Sequence, residues 1–258
     1  MHYDTLGIIG GTGWLGRAIA QAVLDAGVLA PAGLMVSNRS GGSDFAPGVR
    51  QVVDNRELVG LCDVVMLSIR PEQFPALDID ARGKTVISLM AGVSAATISA
   101  RTGARVVVRA MPNAAVGIRR SFTPWYVAGE LSDPERDWIQ RLFECVGTAG
   151  EVPDEPCIDY LSALSGTGPA FPALLYTALA HQAVAAGIPE DIARQAAHAV
   201  IVGGGEMLAT HDPQQMLDTL MAYRGVTAAA LQSMADQDFE SMIGQALQAG
   251  AAVARRGM

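Results

Sequence analysis

One segment constrains this chain more than any other: Gly10-Gly11-Thr12-Gly13-Trp14-Leu15-Gly16. Its flanks give it meaning. Before it runs Leu6 to Ile9, short, apolar and strand-like; after it, Leu15, Ile19 and Val23 recur on one helical face of the stretch to Leu24. A GxGxxG that closes a strand and opens a helix is the phosphate-binding turn of a dinucleotide fold. In that reading Gly11 makes the tight turn, Gly13 lets the backbone approach a pyrophosphate, and Gly16 lets the helix pack closely on the strand. The free N–H groups and partial positive charge of the helix start then face the phosphates. Gly11, Thr12, Gly13, Trp14, Leu15 and Gly16 are therefore candidate cofactor residues.

The end of the second strand selects the cofactor. NAD sites place an acid there to bind the ribose 2′-hydroxyl. This chain has Ser37-Asn38-Arg39-Ser40 instead. An acid would repel a 2′-phosphate, whereas Arg39 can pair with it through a fork of charged hydrogen bonds, and Asn38 and Ser40 can add neutral donors. The expected cofactor is NADP(H).

Strands alternate with helices through the first half. Leu34 to Val36, Asp63 to Ile69, Thr85 to Leu89 and Arg105 to Val108 read as strands, with a helix from Arg56 to Leu61. A later unit has a strand from Thr123 to Val127, a helix after Asp133 and a turn at Gly147. That alternation predicts a mostly parallel sheet covered on both faces. Strand signals fade near Pro153 to Pro156. Helices are expected near 160–165, 169–186, 189–209, 213–222, 226–235 and 240–255, punctuated by glycine and proline. The predicted architecture is an α/β Rossmann domain over residues 1–156, followed by an all-α domain over 157–258. Those helices are too uniformly apolar for one exposed layer to hide, which predicts burial against a second copy.

Net charge is −8 with no basic stripe, which argues against nucleic-acid binding. The apolar stretches of the second half are interrupted by His181, Gln182, Glu190, Asp191 and Arg194, so they read as buried helices and not membrane spans. No basic segment with a signal-type apolar run opens the chain, which predicts a cytoplasmic protein. Three widely spaced cysteines without a CxxC indicate neither a disulfide framework nor a metal site.

Further motifs make the fingerprint specific: Ser68-Ile69-Arg70-Pro71-Glu72-Gln73, Ile87 to Gly92, Val107-Val108-Arg109-Ala110-Met111-Pro112-Asn113, and Ala163-Leu164-Ser165-Gly166-Thr167-Gly168-Pro169-Ala170-Phe171. Together, and in this order, they resemble the pyrroline-5-carboxylate reductase family over nearly the whole chain. The resemblance implies a helical dimerisation domain that interleaves with its partner's, as a homodimer or a higher homo-oligomer. It implies hydride transfer from NAD(P)H to the C=N carbon of a small cyclic imine carboxylate, the step by which that family makes proline. The family's cofactor contacts fall here on the 11–16 turn, on Ser37, Asn38 and Arg39, on Ser68, Arg70 and Pro71, and on Met111 and Asn113. Ser165, Gly166 and Thr167 would line the imine pocket, and Asn113 would fix the nicotinamide face. Thr227 falls on the threonine whose hydroxyl the family sets against the ring nitrogen. It would donate to that nitrogen or orient a proton there; a hydroxyl that merely caps its own helix is the plainer alternative.

The chain departs from the family in its substrate loop. Where the family reads roughly Ser-Pro-Gly-Gly-Thr-Thr, this chain has Ala222-Tyr223-Arg224-Gly225-Val226-Thr227. Arg224, Gly225, Val226 and Thr227 are candidate substrate contacts, with Arg224 either binding the carboxylate or taking its room. His181 stands where the family often has an acid, and Gly10 is an additional glycine in the turn. The stretch Ile9 to Gly16 also resembles F420-dependent NADP reductases. Two alternatives therefore stand beside reduction of pyrroline-5-carboxylate: an NADP(H) oxidoreductase acting on another imine, a carbonyl or F420, and a catalytically silent NADP-binding protein.

Overall fold

The computed structural model describes residues 3–38 and 45–256. They divide into two compact units, one reaching Thr167 and resuming at Gln248, the other Gly168–Leu247.

The first unit is built on an eight-stranded sheet of β1 (Leu6–Ile9), β2 (Leu34–Ser37), β3 (Arg50–Val52), β4 (Val64–Leu67), β5 (Thr85–Ser88), β6 (Val106–Ala110), β7 (Ser121–Ala128) and β8 (Gly147–Glu151). The spatial order is β3-β2-β1-β4-β5-β6-β7-β8, parallel except for β6 against β7. The central strands read as continuous apolar runs because both faces are covered. Leu6, Ile8, Val64, Met66, Val106 and Val108 point into one core, while Ile9, Val65, Leu67 and Val107 point into the other. Helices α1 (Trp14–Asp25), α2 (Asn55–Leu61), α3 (Ala95–Thr102) and α4 (Asp133–Glu144) connect the strands, and α5 (Glu155–Leu161) follows β8.

Three features differ from the sequence reading. β3 is only three residues with a mostly exposed face, so no apolar run announces it. Gly147 opens β8 and is not a simple turn; its φ of 147° and its approach to Ser121 are what glycine permits there. The helix expected near Tyr160 begins at Glu155, because Pro156 sits in its first turn, where a missing N–H costs nothing. Pro156 therefore starts a helix of the first unit, and the compact units part beyond the composition change at 156.

α4 turns Trp138, Ile139, Leu142 and Phe143 inward. Its start is pinned by Glu135, which accepts from the Ser132 N–H (2.8 Å) and hydroxyl (2.9 Å) and from Arg105 (2.6 Å). Burial resists ionisation of Glu135, but the Ser132 donors and the Arg105 guanidinium outweigh it and pull its pKa from 4.5 to about 2. A depressed carboxyl stabilises the fold above its unfolded pKa and loses that contribution as pH falls through the folded value. Stability is expected to drop by roughly 3 kcal/mol from this group between pH 4.5 and about 2. Denaturant unfolding of Glu135→Gln across that range should show a shallower pH dependence; an unchanged slope would contradict it. Burial also pushes the Cys62 thiol up to about 12, so it stays protonated as a core residue.

The second unit is helical: α6 (Ala170–Ala185), α7 (Glu190–Met207), α8 (Pro213–Ala222), α9 (Val226–Asp236) and the start of α10 (Phe239–Arg256). α6 is apolar all round yet leaves Leu174 71% and Leu175 46% exposed, and α7 leaves Val200 58% exposed. Among the described residues, no helix is long and apolar enough to cross a membrane.

Candidate active site

The chain leaves β1 toward β2 on one side and returns through β4 on the other. That reversal opens a crevice beyond the carboxyl ends of the strands, where ligands of such sheets bind. A cleft of about 690 Å³ lies there. It takes Thr12, Gly13, Trp14 and Leu15 from the glycine turn, Ser37 and Asn38 from the end of β2, and Ser68 and Arg70 from the end of β4. Gly11, Gly16, Pro71, Met111 and Asn113 do not line it. Arg39 lies outside the described residues.

The glycines divide the work differently from the motif reading. Gly10, with φ 79°, is the residue in the left-handed region, and a Cβ on it would lie 2.3 Å from the Ser68 carbonyl oxygen. Gly11 is needed for closeness: a Cβ there would lie 2.8 Å from the Val36 side chain. Gly16 keeps its expected part, since a Cβ would lie 2.8 Å from the Gly10 oxygen and 2.9 Å from Gly11 Cα. Gly13 has an ordinary extended backbone (φ −64°, ψ 161°), and a Cβ on it would meet only the Gly10 oxygen at 3.3 Å.

The residues present fit a dinucleotide. α1 starts without a side-chain cap and with no acid in its first turn, so its dipole and free N–H groups are offered to the cleft. The Arg70 side chain has no ion pair among the described residues. Among the described residues, Asn38 Oδ1 is buried without a hydrogen-bond partner, an acceptor that a ribose hydroxyl would satisfy. The volume lies within the roughly 300–1,000 Å³ common for cofactor sites.

Asn55 and Gln73 also line the cleft and escaped the sequence reading. Asn55 Oδ1 accepts from the Ser37 hydroxyl at 2.6 Å. Gln73 Oε1 accepts from the Arg70 N–H at 3.0 Å while its own N–H donates to the Arg70 carbonyl, also at 3.0 Å, which stiffens the loop opened by Pro71. Asn55 follows β3, and with β3 unseen nothing in the sequence placed it beside Ser37.

The remaining candidates form two groups. Asn113 donates from Nδ2 to the Ser165 carbonyl (2.9 Å) and accepts at Oδ1 from the Ala115 N–H (2.9 Å), so the two most specific motifs meet through it. Ser165 and Gly166 lie in a π-helical turn, Ser162–Gly166, that continues α5, with Thr167 after it. In the second unit Gly225 is the N-cap of α9, which puts Thr227 at the second helical position. The Thr227 hydroxyl makes no hydrogen bond among the described residues. Arg224 holds φ 49°, a left-handed conformation uncommon for a bulky residue, and is exposed beside Gly225 and Val226. His181 lines a separate hollow of about 470 Å³ with Tyr176, Glu190 and Arg194.

A strand-end cleft with a glycine turn, an uncapped helix start and Arg70 at its edge defines a protein of the dinucleotide-binding class. Residues 5–92 match the family described as NADP oxidoreductase, coenzyme F420-dependent, and residues 155–257 match pyrroline-5-carboxylate reductase dimerisation. A pyrroline-5-carboxylate reductase of Thermus thermophilus is 32% identical over 93% of this chain and 93% of its own. The chain belongs to the pyrroline-5-carboxylate reductase family. A solved pyrroline-5-carboxylate reductase from Coxiella burnetii superposes with TM-score 0.85 at 25% identity, covering 98% of this chain and 97% of that one. The Plasmodium falciparum pyrroline carboxylate reductase with NADP bound shares the fold at TM-score 0.78 and 22% identity, covering 99% and 98%.

Proposed function

We propose that this protein reduces pyrroline-5-carboxylate to proline with NADPH, as a homo-oligomer, most simply a homodimer. Residues 1–156 then form the NADP-binding domain and 157–258 the dimerisation and substrate domain. The observation that carries the reading is the cleft at the β1–β4 switch point, in a chain of this family. When bound, the cofactor supplies the hydride. The chain supplies position and charge. The turn at 11–16 and the start of α1 hold the pyrophosphate, Asn38 and Arg39 hold the 2′-phosphoribose end, and Ser68 and Arg70 hold the rim. Ser165, Gly166 and Thr167 line the imine. Thr227 donates to the imine nitrogen, which makes the neighbouring carbon more electrophilic. Arg224, with Gly225 and Val226, binds the carboxylate, in place of the small residues usual in the family. The unburied apolar faces of α6 and α7 support assembly with a second copy.

NADPH consumption should be followed with pyrroline-5-carboxylate, other cyclic imines, 2-oxo acids and F420. Turnover of pyrroline-5-carboxylate with the highest kcat/KM is expected. The match of residues 5–92 favours F420 as the second reading, and preferred turnover of F420 would establish it. No turnover with intact NADPH binding would mean a silent binder. Wild type is expected to prefer NADPH over NADH, and Arg39→Ala to lose at least about tenfold of that preference, the measure of one charged contact. Equal use of both cofactors by wild type would remove the assignment of Arg39.

A further inference from the structure

We propose that Arg109 is a positioning residue for the imine-binding segment, holding the Ser165–Thr167 stretch in register with Asn113 through Glu155 and Asp159. The inference rests on the reading of 165–167 as the imine lining. Arg109 lies on β6, is 3% exposed, and donates from Nη1 to Glu155 Oε1 (2.9 Å) and from Nη2 to Asp159 Oδ1 (3.1 Å). The two acids are one helical turn apart on α5 and present one face to the guanidinium fork. Glu155 Oε1 also accepts the first N–H of α3, from Ala95, at 2.7 Å, so the same carboxylate anchors a third element.

From Asp159 the chain runs straight into the π-helical turn. There the Ser162 hydroxyl donates back to the Ile158 carbonyl (2.7 Å) and the Ser165 hydroxyl to the Leu161 carbonyl (2.9 Å). The Ser165 carbonyl would find its helical partner at residue 169, but Pro169 has no N–H. That carbonyl accepts instead from the Thr167 N–H and, at 2.9 Å, from the Asn113 amide, and Asn113 stands a few residues beyond Arg109 on the same strand exit. The result is a closed ring: β6 and its exit on one side, α5 and the π turn on the other, clamped at one end by Arg109 and at the other by Asn113.

Stability alone does not account for the clamp. A buried ion pair is often no more stable than the apolar residues that would replace it, and here Arg109 Nε has no partner among the described residues. What a planar, bidentate guanidinium provides and an apolar side chain does not is a fixed register between two segments.

Asp159→Asn keeps shape and removes the charge from one arm of the clamp; Arg109→Lys keeps charge and loses the fork. Both should be compared with wild type in melting temperature, NADPH Kd, steady-state kinetics and amide exchange. In Asp159→Asn, NADPH Kd is expected to stay within about twofold, while kcat/KM for the imine falls roughly ten- to a hundredfold, as for misplaced reacting groups. Exchange of the peptide spanning 162–168 is expected to rise about tenfold, well below the melting temperature. If Arg109→Lys does not fold, Asp159→Asn decides. Unchanged exchange at 162–168 overturns the proposal whatever the activity. A lower melting temperature with unchanged kcat/KM per folded molecule also overturns it, since that is what a purely structural role produces. If wild type turns over no imine, the functional reading falls, while the exchange measurement still tests the clamp.

Discussion

Thr227→Val is expected to lower kcat for pyrroline-5-carboxylate by about a hundredfold or more, the usual scale for a lost proton donor. The substitution is nearly isosteric and removes only the hydroxyl. That hydroxyl has no hydrogen bond within the described chain, and the N-cap of α9 is Gly225, so the helix loses nothing it was using. The side chain is exposed in the chain, so the change in stability should stay within about 0.5 kcal/mol. NADPH affinity should be unchanged, because no cofactor role is assigned to this residue. Thr227→Ser, which restores a donor, should recover most of the rate. A Thr227→Val enzyme with wild-type kcat would remove Thr227 from the chemistry and leave Arg224 and the 165–167 segment as the polar contacts.

Gly13→Val is expected to raise the Kd for NADPH by about thirtyfold or more, roughly 2 kcal/mol, while leaving the melting temperature close to wild type. The asymmetry follows from what surrounds each glycine of the turn. At Gly13 the backbone is one any residue adopts, and a Cβ would lie 3.3 Å from the Gly10 oxygen, a contact that a shift of a few tenths of an ångström relieves. The remaining reason for glycine is the open side, where the turn faces the cleft. At Gly11 and Gly16 a Cβ would lie under 3.0 Å from Val36 or from the turn's own backbone. Gly11→Ala and Gly16→Ala should therefore destabilise the fold by about 1–3 kcal/mol, as overpacked core sites do. Calorimetry and cofactor titration on the three variants would separate the classes. A Gly13→Val protein that binds NADPH normally would show that the phosphates do not rest on this turn.

The Arg109 clamp belongs to the same logic at a different scale. In the proposed function the glycine turn recognises a cofactor by withholding side chains, and the clamp would hold a substrate segment by spending a buried charge where an apolar residue would be no less stable.

Elements whose information is local could be read from the residues alone. A glycine turn between strand and helix names its own ligand because backbone N–H groups do the binding. Continuous apolar runs at β1, β4, β5 and β6 announce strands covered on both faces. Motif order was enough to place the chain in its family. The other features became visible only in the fold, because each is a contact between distant segments. β3 is too short to carry a pattern and exists by pairing with β2, which in turn brings Asn55 to Ser37. Gly10, and not Gly11, takes the left-handed turn because the Ser68 carbonyl of a strand far along the chain leaves no room for a Cβ. Asn113 faces Ser165, and Arg109 faces Glu155 and Asp159, across separations that no period or spacing encodes. Local patterns choose which segments become strands and helices; only packing chooses which of their side chains meet.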